Sequence, residues 1–176
     1  MEPMDAEFSR PIKAAHIKDE VQQHTLVADE AARALLAKRF GLPGIAYLRG
    51  EFTLQHERSG VIAAKLDMRA AVTQTCVVTL EPFDATINEQ SDLRFVPAQS
   101  LPESEGVELD PETLEGPDEI PFTAGLIDLG EALAEQLALA LDPYPRKPGA
   151  ALPAEHLDAP ENPFAALDAL RSKGPK

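Results

Sequence analysis

Ile62, Ala64, Leu66 and Met68 stand on every second residue of one short run, with Lys65, Asp67 and Arg69 between them. Successive side chains of a strand point to opposite faces, so this run predicts a β-strand with one buried face and one face in water. Sheets with one wet face are usually antiparallel. The alternation continues on both sides. GEFTLQHE places Phe52 and Leu54 on one face, and Glu57 to Gly60 reads as the hairpin connection into the Ile62 strand. Val72 to Val78 is rich in β-branched residues, Glu81 and Pro82 interrupt it, and FDATINEQSDLRFV resumes alternation through Phe83, Ala85 and Ile87 and again at Leu93 and Phe95. About four strands adjacent in sequence and joined by short loops predict an antiparallel meander, strongly twisted, with curling into a barrel as its extreme form. Ahead of it, FSRPI at Phe8 to Ile12 reads as a short edge strand, because Pro11 has no N–H to donate inside a ladder.

Two segments switch to the helical period. LVADEAARALLAKRFGL predicts a helix capped by Asp29, with Ala32, Leu35, Leu36 and Phe40 as its apolar stripe. Lys38 and Arg39 fall at its C-terminal end, where the helix dipole favours cations, and Gly41 supplies the left-handed stop. LIDLGEALAEQLALAL is the stronger helix. Leu129, Leu133, Leu137 and Leu141 recur at every fourth position, reinforced by Leu126 and Ala140, and Asp128 with Glu131 resembles a capping box. Asp142, Pro143 and Pro145 end it. Both apolar stripes need a partner, and the buried face of the sheet is the natural one. The predicted fold class is therefore α+β, a twisted antiparallel sheet covered on one side by two main helices.

The chain has 176 residues, enough for one domain spanning 1–176, and 44% of them are hydrophobic, which predicts a folded core. Its formal net charge is -14, unevenly spread. Residues 1–96 and residues 122–176 each carry a net -3, whereas Pro97 to Pro121 holds eight acidic residues, no basic residue and five prolines. Mutual repulsion and fixed proline dihedrals oppose packing there, so 97–121 reads as a long acidic flexible loop, either a solvated linker or a docking segment for a basic partner. The tail, 143–176, is rich in proline and alanine. Within it Asn162 can cap a short terminal helix that starts at Pro163 and presents Phe164, Leu167 and Leu170. So acidic a chain is repelled on average by phosphate backbones and anionic membranes, and neither DNA nor a membrane is an expected partner. The first residues show no basic stretch followed by an apolar run, and the expected location is the cytoplasm.

Residues able to carry chemistry are few. Cys76 is the single cysteine, which excludes an internal disulfide and a multi-cysteine metal site, and its place in a β-branched run suggests packing more than reactivity. His16, His24, His56 and His156 are scattered, with His16 and Glu20 close enough to share a helical face but too few to hold a metal. Gly41, Gly44, Gly50 and Gly60 are separate turn signals rather than a phosphate-binding loop. A small-molecule enzyme would need a cleft with polar groups converging around residues such as His56 or Cys76. For RNA the requirement is different: Arg10, Lys13, Lys18, Arg33, Lys38, Arg39, Arg49 and Arg58 would have to converge into one patch. No catalytic, cofactor or metal residue is assigned.

The order of these elements resembles the YceD family, the large ribosomal RNA subunit accumulation proteins of bacteria and plastids. The resemblance rests on GEFTLQHERSGVIAAKLDMRAAVTQTCVVTLEPF at Gly50 to Phe83, DLRFVP at Asp92 to Pro97, the acidic loop, DLGEALAEQLALALDPYP at Asp128 to Pro145 and ENPFAALDALR at Glu161 to Arg171. Many members carry a CxRCLxPF-like signature where this chain has CVVTLEPF. Cys76, Leu80, Pro82 and Phe83 match it, while Val78 stands where arginine is common and Thr79 where the second cysteine is common. A two-thiolate metal clip is therefore impossible here. The resemblance implies a single domain of that family without enzymatic activity or cofactor, acting in synthesis, processing or stability of large-subunit (23S) ribosomal RNA. The leading expectation is binding of a basic ribosomal protein or large-subunit assembly factor through the acidic loop or the terminal NPF segment. Direct binding of ribosomal RNA is the second, and an enzyme with an unrecognised cleft the third.

Overall fold

The alternating run around Leu66 forms the centre of the molecule. The computed structural model describes residues 7–100 and 116–151. Its elements are β1 (Pro11–Lys13), β2 (Gln22–Val27), α1 (Glu30–Phe40), β3 (Gly44–His56), β4 (Ile62–Thr75), β5 (Pro82–Pro97), β6 (Asp118–Phe122), β7 (Leu126–Asp128) and α2 (Leu129–Ala140). The main sheet runs in the order β2-β3-β4-β5-β6, and β1 pairs with β7 in a small second sheet. Strands β3 to β5 form the expected antiparallel meander, with Phe52 opposite Leu66 and Ala64 opposite Leu93, and β2 adds to it antiparallel to β3. The turn between β3 and β4 is the one read from Glu57 to Gly60; Ser59 and Gly60 both take positive φ there.

Three features depart from the expectation. The sheet is mixed, because β6 lies parallel to β5, with Leu93 beside Asp118 and Pro97 beside Phe122. A parallel neighbour needs a long crossover, and residues 98–117 supply that length. The end of the expected acidic loop is thus a strand, and Ala98–Ser100 is a 3-10 turn. Residues 101–115 of that loop lie outside the described residues, as does 152–176, which contains the expected terminal helix. The barrel form is also set aside, since β2 and β6 sit at opposite ends of the order and do not pair. The third departure is β2, a strand that the sequence did not announce because only Leu26 within it is buried. The expected edge strand at Phe8–Ile12 is displaced to Pro11–Lys13, and Phe8 instead enters the core.

One face of the main sheet is apolar and carries both helices. Leu48, Phe52, Leu54, Ile62, Leu66, Met68, Leu93 and Phe95 are buried there with Leu36 of α1 and with Leu129, Leu133 and Leu137 of α2. Asp29 caps α1 by accepting from the Ala32 N–H at 2.9 Å, and Gly41 closes it with φ 65°. The expected stripe of α1 shifts by one residue: Ala32, Leu36 and Ala37 are buried and Leu35 is exposed. Asp128 caps α2, accepting from Gly130 and Glu131 N–H groups and also from Arg10 N–H and the Ser9 hydroxyl. Glu131 does not reciprocate as in a capping box, because its carboxylate is engaged by Arg39 of α1 at 2.7 Å. Two glycines permit the close packing. A Cβ on Gly50 would lie 2.8 Å from Leu133 Cδ1, and one on Gly130 would lie 2.1 Å from the Phe8 carbonyl oxygen.

Candidate functional site

His56 and Cys76, the residues around which an enzyme cleft would have to form, lie far apart. His56 ends β3 beside Ile62, while Cys76 follows Thr75 at the far end of β4. A strand of 14 residues spans roughly 45 Å at ~3.3 Å per residue, so no thiol–imidazole pair forms. His56 Nδ1 faces the exposed Asp19 carboxylate at 3.5 Å. His16 ends a 3-10 turn and the chain is extended at Ile17, so His16 and Glu20 share no helical face. His24 lies in β2, and His156 lies outside the described residues. Among the described residues there is no group of three or more His, Cys, Asp or Glu placed to hold a metal ion.

The basic residues considered for RNA are dispersed. Arg10 and Lys13 lie at β1, Lys18 and Arg58 near the β3–β4 turn, Arg33, Lys38 and Arg39 on α1, and Arg49 on the wet face of the sheet. Several are already engaged. Arg39 is paired with Glu131 and Glu7, Arg49 with Glu51, and Arg33 donates to the Ala28 carbonyl at 2.7 Å. The wet face holds an open cleft of about 860 Å³ lined by Thr53, Gln55, Lys65, Asp92, Arg94 and Asp118 among others. Its charges cancel in place. Lys65 lies 3.9 Å from Asp92, and Arg94 lies 2.6 Å from Glu57 and 4.0 Å from Glu119. The Glu57 carboxylate raises the already high pKa of Arg94, which fixes it as a permanent cation rather than an acid–base group.

A different feature stands at the opposite end of the sheet. β4 and β5 are joined by a turn over residues 76–81, closed by Cys76 N–H to Glu81 O and Leu80 N–H to Cys76 O, each 2.9 Å. The chain following α2 straps this turn. Val77 N–H donates to Pro145 O at 2.9 Å, Gln74 to Asp142 O at 3.2 Å, and Lys147 to Glu81 at 2.9 Å. Beneath the strap Cys76 is fully covered, as a packing role requires. The Thr79 side chain hydrogen-bonds the thiol, and with the backbone groups of Lys147, Thr79 and Val78 it outweighs burial and lowers the thiol pKa to about 7. Thr79 is thus an immediate partner of Cys76.

The upper side of this turn is apolar and uncovered. Leu80 is 77% exposed and holds a positive φ of 59°, which costs a bulky residue about 1 kcal/mol or more. Val77 and, on the strap, Tyr144 are exposed beside it. Sequence reasoning missed this cluster, since a turn residue has no period. The available signal was three large apolar residues, Val77, Val78 and Leu80, in a stretch that breaks the alternation.

The family model for the large ribosomal RNA subunit accumulation protein YceD matches residues 64–171. It begins within β4, so β1, β2, α1 and β3 lie outside it, as does the Gly50–Ala63 part of the stretch on which the resemblance was read. No curated protein matches the chain, and no solved structure does.

Proposed function

The chain belongs to the YceD family, and on that premise we propose that it is a non-enzymatic factor supporting synthesis, processing or stability of large-subunit ribosomal RNA by binding a basic ribosomal protein or assembly factor. The family places its role broadly in ribosomal RNA accumulation. The carrying observation for a protein partner is the strapped turn. Val77, Leu80 and Tyr144 expose apolar surface on a backbone fixed at both ends by hydrogen bonds, which suits a protein contact, and Arg146 and Lys147 of the strap are exposed next to Tyr144. Dispersed, ion-paired basic residues support the same choice against direct RNA binding. The acidic excess of 97–121 adds long-range attraction for a basic partner, raising association rate and selectivity.

Two variants test the reading, with folding checked by circular dichroism. Leu80→Asp removes apolar surface at the turn, and replacing the acidic residues of 103–115 with serine or glutamine removes the field without touching β6. Each is expected to reduce capture of large-subunit proteins from cell extract by about tenfold or more, equivalent to ~1.4 kcal/mol of binding. Undiminished capture by both variants would sink the proposed contact.

A further inference from the structure

The two edges of the main sheet are protected unequally. β6 is short and carries Asp118, Glu119 and Pro121, the charges and proline that discourage edge-to-edge pairing. β2 at the other edge, QQHTLV, has no Asp, Glu, Lys, Arg or proline, and among the described residues it pairs only with β3. The Ala28 N–H donates to Leu48 O at 3.0 Å, which fixes the phase of this ladder. Residues of even number, including His24 and Leu26, turn their backbone groups to β3, and Gln23, Thr25 and Val27 turn theirs to the open edge. Val21 and Val27 share the wet face with Gln23 and Thr25, and they are 58% and 52% exposed.

From this pattern we propose that β2 is a self-association edge, at which two copies of the chain pair antiparallel about a twofold axis through His24. This register sets Gln23 opposite Thr25 of the second copy and Val21 opposite its Val27, so the outward backbone groups of both strands are satisfied and both exposed valines gain an apolar neighbour. The strand has no Asp, Glu, Lys or Arg, and the axis sets the two His24 side chains opposite one another. The acidic segment includes Asp118, which lines the same wet-face cleft as Val21, so its repulsion reaches this edge and is screened by salt. A partner of unrelated sequence would pair as well with the backbone, but the match of Val21 to Val27 favours a second copy. The inference is independent of the proposed function.

The test is the molar mass of the full chain by sedimentation from about 1 to about 100 μM at about 0.15 M salt, repeated for Thr25→Lys and Thr25→Pro. The Thr25 N–H faces the open edge, so proline there spares the ladder to β3, and lysine is an edge guard on an exposed position. The wild-type chain is expected to become dimeric within the range, with both variants weakening dimerisation at least about tenfold. His24→Cys should then form a disulfide between copies on mild oxidation, since residues opposite in a non-hydrogen-bonded pair have Cα atoms ~4.5 Å apart. A wild-type chain that stays monomeric throughout overturns the proposal. So does a dimer that neither Thr25 variant weakens and that His24→Cys does not cross-link.

Discussion

Leu80 is the residue at which stability and use part company. Its side chain is mostly in water and its backbone is in the left-handed region, so the fold gains little from leucine there. Leu80→Gly is expected to stabilise the protein by about 0.5–1 kcal/mol in urea unfolding while lowering partner capture. A destabilised Leu80→Gly would remove the case for strain kept for a contact. Cys76 beneath it gives a second test. A thiol held at about 7 contributes stability that is fully present above the ordinary thiol pKa of about 8.5 and is lost as pH falls through about 7. Thr79→Val should move the titration upward, read by thiolate ultraviolet absorbance, and flatten the rise in stability over that window. An unmoved titration would show that Thr79 does not hold the thiol. The exposure of Leu80 was not legible in the sequence, whereas the burial of Cys76 was. The β-branched run around Cys76 suggested strand packing, and the turn that places Thr79 and Lys147 beside it depends on hydrogen bonds to the distant 142–147 segment.

Elements with their own local signals were legible. Asp29 and Gly41 marked the ends of α1, and the four-residue leucine spacing marked α2, because caps and periodicity act within a single turn of chain. β2 and β6 escaped for the opposite reason. Edge strands are polar, and QQHTLV and DEIPF owe their conformation to pairing with β3 and β5 rather than to their own alternation. Asp128 joins the two small strands to α2, since it accepts from Ser9, Arg10, Gly130 and Glu131. Burial tends to raise its pKa, but the Arg10 N–H, the Ser9 hydroxyl and the α2 N-terminal N–H groups outweigh burial and hold it below the usual carboxylate range. Its contribution is therefore complete above that ordinary range and is lost as pH falls through the lowered folded value. Asp128→Ala should cost about 2 kcal/mol near neutral pH and give a shallower acid limb in the stability profile. Equal acid limbs in wild type and variant would contradict the cap's assigned role.

At the scale of the molecule, the sheet divides labour between its faces and ends. One face is consumed by α1 and α2, and the other is a field of interleaved and cancelling charges. One end presents the apolar strapped turn, and the connection between β5 and β6 carries six acidic residues and no basic one. Among the described residues no group of three or more His, Cys, Asp or Glu is placed to hold a metal ion, and the family is named for ribosomal RNA accumulation. Charge segregation was legible in composition alone. The face on which each charge falls was not, because it depends on strand register. The most direct test is affinity capture of the intact chain from cell extract at about 0.15 M salt, with and without ribonuclease, identifying both protein and RNA in the eluate. Large-subunit proteins or assembly factors retained after digestion are the expected result. Ribosomal RNA that carries every other partner with it, and releases them all on digestion, would contradict binding through protein and show that RNA is contacted directly.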